Sequence, residues 1–200
     1  MQVMSNATST LERRAAVKTL LTDRKELLVV TGLGSSSYDV FAAGDHDGNF
    51  YLWGAMGGAA MVGLGIALAQ PKRPVVVVTG DGEALMGVGS LLTVAVHKPA
   101  NLTVAVLDNG HFGETGMQKS HTGLGSRLEV IAEGAGFRDV DVIDTLEGIE
   151  AYRSRLQDVT SGPRFVRICI AHGNPERALP PRDGAYMKSR FRQHLGFAVT

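Results

Sequence analysis

Val75-Val-Val-Val-Thr-Gly-Asp-Gly82 and, a helix-length interval later, Val104-Ala-Val-Leu-Asp-Asn109 read as two buried strands, each ending in an oxygen ligand. Asp81 offers a carboxylate and Asn109 an amide oxygen. A hard divalent cation such as Mg²⁺ takes oxygen ligands in near-octahedral geometry and shares them with phosphate. In a parallel sheet, ligands sit in the crevice beyond the strand carboxyl ends. Gly80 and Gly82 flank the acid, so the backbone can come close to a bulky anion and present its N–H groups. The pattern is that of a cradle for a metal and a diphosphate.

Outward from these motifs, strands and helices alternate. Leu27-Leu-Val-Val-Thr31 reads as a strand ending at Gly32-Leu-Gly34, 36–43 as a helix, 50–52 as a brief strand and 56–69 as a Gly/Ala-rich helix. A helix is expected over 85–96 and strands over 102–107, 140–143 and 164–171. Ser9-Thr-Leu-Glu12, Ser126-Arg-Leu-Glu129 and Asp144-Thr-Leu-Glu147 resemble capping boxes, opening helices that reach about residues 21, 134 and 159. Residues 110–125 are glycine-rich without a period and read as a long functional or mobile loop. Apolar strands alternating with helices predict an α/β fold, a doubly wound and mostly parallel sheet with helices on both faces. Residues 1–200 read as one domain, with 173–200 a Pro-broken tail that turns into a basic helix over 185–195.

Composition narrows the function classes. Lys+Arg and Asp+Glu both number 20, a balance that argues against nucleic acid or an anionic membrane as partner. Cys169 is the sole cysteine, so no internal disulfide forms, and its apolar surroundings predict a buried inert thiol. The Met1–Thr8 stretch has neither a basic nor an apolar region of a secretory signal, and 56–69 is short for a bilayer span. A cytoplasmic protein is expected. Gly32-Leu-Gly34-Ser-Ser-Ser37 imitates a dinucleotide fingerprint, but Ser37 replaces the third glycine. Gly63-Leu-Gly65 lies inside a helix pattern, and no Gly-Lys-Ser/Thr exists, which excludes a P-loop.

Gly-Asp-Gly followed by Asn at this spacing resembles the diphosphate-binding motif of thiamine diphosphate enzymes. Leu52-Trp-Gly-Ala-Met-Gly57, ahead of the Ala/Gly-rich helix, resembles their aminopyrimidine-binding turn. The likeness covers roughly residues 10–175, the family's diphosphate (PP) domain. Gly110-His-Phe-Gly-Glu-Thr-Gly-Met-Gln-Lys-Ser-His-Thr122 is most similar to beta subunits of sulfopyruvate and phosphonopyruvate decarboxylases. The resemblance implies a Mg²⁺ held by Asp81, Asn109 and the carbonyl of His111. It implies cofactor contacts from Gly54, Ala55, Met56, Gly80, Asp81, Gly82, Glu83, Ala84, Asn109, His111, Phe112 and Gly113. Among these, the Gly54 carbonyl would accept from the cofactor's amine, and Met56 would wedge under its bend. Glu83 departs from the family, which often has a small hydroxyl residue there, and its carboxylate must turn away from a diphosphate. His111, Gln118 and His121 are the candidates to orient substrate or move a proton, with a solvated loop as the competing reading. Lys119 and Arg127 could meet an anionic head group or simply be solvated.

Thiamine diphosphate serves as an electron sink for decarboxylating a 2-oxo acid. In the family, its activation needs a glutamate on a separate pyrimidine-binding (PYR) domain, for which these 200 residues leave no room. The resemblance therefore implies one subunit of a hetero-oligomeric 2-oxo acid decarboxylase, a dimer of heterodimers or larger, working with a PYR-domain (alpha) subunit. An acetolactate synthase-like carboligase subunit and a non-catalytic cofactor-binding or assembly subunit are the alternatives.

Overall fold

The computed structural model describes residues 9–198. The Met1–Thr8 stretch, expected to carry no secretory signal, lies outside them. The valine-rich runs form a six-stranded, wholly parallel sheet in the order β2-β1-β3-β4-β8-β7. Its elements are α1 (Arg13–Leu21), β1 (Leu28–Thr31), α2 (Ser35–Ala42), β2 (Asn49–Tyr51), α3 (Ala59–Ala69) and β3 (Val75–Gly80). They continue as α4 (Asp81–Met86), α5 (Gly89–His97), β4 (Leu102–Asp108), a β5–β6 hairpin (His111–Phe112 with Gln118–Lys119) and α6 (Leu128–Ala135). β7 (Asp139–Ile143), α7 (Leu146–Arg153), β8 (Arg164–Cys169) and α8 (Gly184–His194) complete the chain.

The central strands have no polar face because both faces are covered. Alternation along β3 sends Val76 and Val78 into a core with α1, α2 and α7, and Val75 and Val77 into a core with α3, α5 and α6. Burying a Val or Leu side chain stabilises by about 1.5–3 kcal/mol, so these two layers hold the strand ends in place. Gly63 of α3 allows the closest approach: a Cβ there would lie 2.2 Å from Val77 Cγ2. Among the described residues no helix is long and apolar enough to cross a membrane.

Several local expectations give way to tertiary contacts. Ser9 does not cap α1; its hydroxyl donates to the Cys169 carbonyl at 2.8 Å, and Glu12 is the N-cap, accepting from Arg14 N and Ala15 N. Ser126 caps nothing either, because the Glu129 carboxylate that would complete the box is engaged by Arg127 and Arg167. In the third box the cap is Thr145 rather than Asp144, and α7 stops at Arg153. The helix expected from residue 56 begins only at Ala59, since Gly57 takes φ +87°. The helix expected over 85–96 is two helices, α4 and α5, broken at Gly87 and Val88. Cys169 is half-buried rather than buried, and desolvation raises its thiol pKa, which keeps it unreactive.

Candidate active site

The ladder between β3 and β4 pairs Gly80 with Leu107, so Asp81 leaves the sheet beside Asp108 and one residue short of Asn109. Both motif residues are buried there, Asp81 at 2% exposure and Asn109 at 8%. Asp81 Oδ2 accepts from Ser120 Oγ and, at 2.9 Å, from Thr122 Oγ1. Thr122 Oγ1 also lies 2.7 Å from Asp108 Oδ1 and 2.9 Å from Ser120 Oγ. These four contacts have two hydroxyl protons between them. The cluster is short of positive charge.

Asp108 obtains its compensation from Arg167, with Nε at 2.6 Å, and Arg167 Nη1 reaches Glu129 at 3.1 Å. Asp81 has no cationic side chain beside it among the described residues. Burial first, and the charge of Asp108 second, push its carboxyl pKa above the ordinary 3.8. A divalent cation at Asp81 relieves both. The available donors are a carboxylate, the Asn109 amide oxygen and backbone carbonyls, while no cluster of three His, Cys, Asp or Glu exists among the described residues. Such an all-oxygen set with a single carboxylate fits Mg²⁺, which leaves room for phosphate oxygens and water, and does not fit zinc.

The neighbouring loop is built onto these strand ends. Asn109 Oδ1 accepts from His111 N at 2.9 Å, and His111 Nδ1 lies 2.9 Å from the Asn109 carbonyl. The His111 ring also stacks edge-on with His172, centroids 4.3 Å apart, so its side chain is turned back to the protein. Phe112 covers Gly82: a Cβ at Gly82 would lie 2.6 Å from the Phe112 ring. Gly113 is held through its carbonyl by Asn174 Nδ2 at 3.3 Å. Gln118 is exposed and bonded to Thr115, and His121 is exposed with its ring perpendicular to that of Phe112, centroids 6.5 Å apart. Lys119 is exposed, and Arg127 pairs with Glu129 at 2.8 Å. The structure thus brings together Gly80, Asp81, Gly82, Asn109 and Phe112, and leaves Gln118 and His121 exposed.

The turn 54–57 lies against the break between α4 and α5. A Cβ on Gly87 would stand 2.0 Å from the Gly57 carbonyl oxygen, so the two backbones touch. Gly54 has φ +76° and no neighbour within 4 Å of its missing Cβ, leaving its backbone open to a ligand. Met56 is 40% exposed, available to meet a ligand or another chain.

Glu83 turns away from Asp81, as its charge requires. It does not serve the start of its own helix α4. Its Oε2 accepts from Leu33 N and Thr79 Oγ1, both at 2.9 Å, in the crevice where β1 and β3 part. Burial pushes its carboxyl up, against the pull of Thr79 and of the Leu33, Gly57 and Ala59 amides. Oε1 is buried and has no hydrogen-bond partner. A Cβ on Gly32 would fall 1.5 Å from Glu83 Oε2, which explains that glycine. Ala84 is half-buried against the core.

Sequence reading missed Ser120 and Thr122, the partners of Asp81, and Ser36, a buried hydroxyl without a hydrogen-bond partner at the start of α2. The signal for the first two was present in Ser120-His-Thr122, two hydroxyls spaced to face the same way at the end of the loop.

Residues 36–177 match the family described as thiamine pyrophosphate enzyme, C-terminal TPP binding domain. This chain belongs to that family. It is 40% identical over 185 residues to a phosphonopyruvate decarboxylase of Streptomyces viridochromogenes, a match covering 90% of this chain and 45% of that protein. It therefore spans under half the length of that relative. Against the sulfopyruvate decarboxylase subunit beta of Methanocaldococcus jannaschii it is 40% identical over 148 residues, covering 74% of this chain and 76% of the subunit. The corresponding Methanothermobacter thermautotrophicus subunit is 33% identical, with 90% and 94% covered. In fold, the chain resembles benzoylformate decarboxylase from Polynucleobacter necessarius, with TM-score 0.66 and 16% identity over 82% of this chain and 34% of that one. The family match and the parallel sheet agree with the resemblance read from the Gly-Asp-Gly and Gly54–Gly57 motifs.

Proposed function

We propose that this chain is the diphosphate- and Mg²⁺-binding subunit of a thiamine diphosphate-dependent 2-oxo acid decarboxylase of the sulfopyruvate or phosphonopyruvate type. The observation that carries the reading is the pairing of Asp81 and Asn109 at adjacent strand ends, with Asp81 buried and lacking a cation. Asp81, Asn109 and the His111 carbonyl would hold the metal. The Gly80–Gly82 turn would bind the diphosphate, with backbone N–H groups at Gly82, Glu83 and Ala84. Ser120 and Thr122 orient the Asp81 carboxylate and hold it in one rotamer. The open Gly54 carbonyl would accept a hydrogen bond from the aminopyrimidine, with Ala55 and Met56 beside it. Phe112 and Gly113 would shield the site from water. Bound thiamine diphosphate would supply the electron sink into which the charge released by decarboxylation is delocalised.

His111, Gln118 and His121 stay candidates for proton movement and substrate orientation. The His111 ring would serve mainly to hold the Asn109–His111 turn, since its Nδ1 is engaged with the Asn109 carbonyl. Gln118 and His121 would act by facing a partner chain that closes over the hairpin. That partner would be a PYR-domain subunit carrying the activating glutamate, in a hetero-oligomer in the cytoplasm. The names of relatives called subunit beta support the existence of a partner subunit. The test combines the chain, Mg²⁺, thiamine diphosphate and candidate PYR subunits, and measures CO₂ release from sulfopyruvate, phosphonopyruvate and pyruvate. Turnover that needs both chains is expected; equal turnover by this chain alone would overturn the two-subunit reading.

A further inference from the structure

The segment between β8 and α8, residues 170–183, has no regular structure, yet it is fastened to the 110–125 loop after β4 and to Trp53 after β2, both at the carboxyl edge of the sheet. Ala171 N donates to the Leu11 carbonyl at 2.8 Å. Asn174 Nδ2 reaches the Gly113 carbonyl at 3.3 Å and Met117 Sδ at 3.7 Å. Arg177 pairs with Glu114 at 3.0 Å, and Glu114 also accepts from Ser35 Oγ at 3.1 Å, which ties the 110–125 loop to the start of α2. Pro180 is buried. The Pro181 carbonyl accepts from Trp53 Nε1 at 3.0 Å, and the Arg182 guanidinium lies 5.2 Å above the Trp53 ring. The far end is anchored by α8, where Arg190 meets Asp45 at 2.6 Å and Phe191 packs on Phe50. The family match ends at residue 177, so the Trp53 contacts are made by residues beyond it.

Trp53 immediately precedes the Gly54 turn, and glycines at both ends of that turn give it no rigidity of its own. Fixing the indole fixes the entry to the turn. We propose that Pro181 and Arg182 are positioning residues: they clamp Trp53 and so set the Gly54 carbonyl, while Asn174 and Arg177 hold the facing 110–125 loop. The proposal rests on the reading of the Gly54 turn as a cofactor contact.

Trp53 is the only tryptophan, so its fluorescence reports the clamp directly. The experiment compares the full chain with Arg182→Gln, Arg182→Lys and Arg192→Gln. It measures acrylamide quenching of Trp53, hydrogen exchange of the 54–58 amides, thermal stability, and thiamine diphosphate binding with Mg²⁺ by calorimetry. Arg182→Gln should raise quenching and 54–58 exchange about two- to fivefold, the loss expected for an exposed cation–π contact. Its melting temperature should stay unchanged, its cofactor affinity should fall by a similar factor, and Arg182→Lys should restore part of both. Arg192, which stacks on Phe197 at 5.5 Å, is the control and should change none of these. Wild-type quenching and exchange in Arg182→Gln would overturn the proposal. If both rise in Arg182→Gln but the wild-type chain binds no thiamine diphosphate, the clamp stands and the functional reading falls.

Discussion

Gly87→Ala separates the turn from the sheet that carries it. Gly87 has φ −100°, which any residue adopts, so alanine there brings no backbone penalty and the effect is purely steric. Its new Cβ would stand 2.0 Å from the Gly57 oxygen, 2.8 Å from its carbonyl carbon and 2.9 Å from its Cα, whereas ordinary contact begins at 3.4 Å. The obstacle is backbone on both sides and cannot rotate away, so the α4–α5 joint and the turn must part by about 1.4 Å. Overpacking of this kind costs about 1–3 kcal/mol. At about 2–4 °C per kcal/mol for a chain of this size, the melting temperature should fall by roughly 2–12 °C. A displacement near 1 Å at a site that positions a reacting group costs on the order of 100-fold in rate. In the proposed two-subunit decarboxylase kcat should therefore fall by about that factor. Gly89→Ala, where the added Cβ meets nothing within 4 Å, is the matched control. Stability and kcat of Gly87→Ala equal to those of Gly89→Ala would refute the reasoning.

Two further outcomes follow from the buried charges. Arg167→Met strips Asp108 of its cation, leaves Glu129 to Arg127 alone and leaves Asp108 beside Asp81, and breaking a buried pair in this way costs roughly 3–5 kcal/mol; a urea midpoint equal to that of the wild type would contradict the network. Glu83 has its folded pKa raised above the ordinary 4.5, so the folded state holds the proton more tightly than the unfolded one. Stability from this group is therefore greatest below pH 4.5 and falls as pH rises through the raised value. The difference in unfolding free energy between the wild type and Glu83→Gln, followed by urea denaturation from about pH 4 upward, should move in favour of the variant. Parallel curves would rule out a titrating Glu83.

The fold was legible where the sequence is locally insistent. Unbroken Val75–Val78 and Val104–Leu107 runs require cover on both faces, and a parallel sheet follows from that need. Asp81 and Asn109 were legible because they end such runs. The surroundings of Asp81 were not, since Ser120 and Thr122 are 39 and 41 residues away and reach it only because the loop after β4 folds back. Glu83 is comparable: its charge predicts that it turns away from any bound diphosphate, but its destination depends on Leu33, 50 residues earlier, and on the space Gly32 leaves. The capping boxes at Ser9 and Ser126 show the reverse error, in which a correct local pattern loses to distant partners at Cys169 and Arg167. The Trp53 clamp lacked any local signature, because a tail and a turn 128 residues apart meet only in three dimensions.

The central claim is that Asp81 and Asn109 jointly hold a Mg²⁺ that anchors a diphosphate. Calorimetric titration of thiamine diphosphate into the chain, with and without Mg²⁺, in the wild type, Asp81→Asn and Asn109→Ala, tests it most directly. The wild type should bind only with Mg²⁺, and each substitution should weaken binding by more than the roughly 10–100-fold that loss of an outer partner of a metal site costs. Mg²⁺-independent binding, or an unchanged affinity in Asp81→Asn, would contradict the claim.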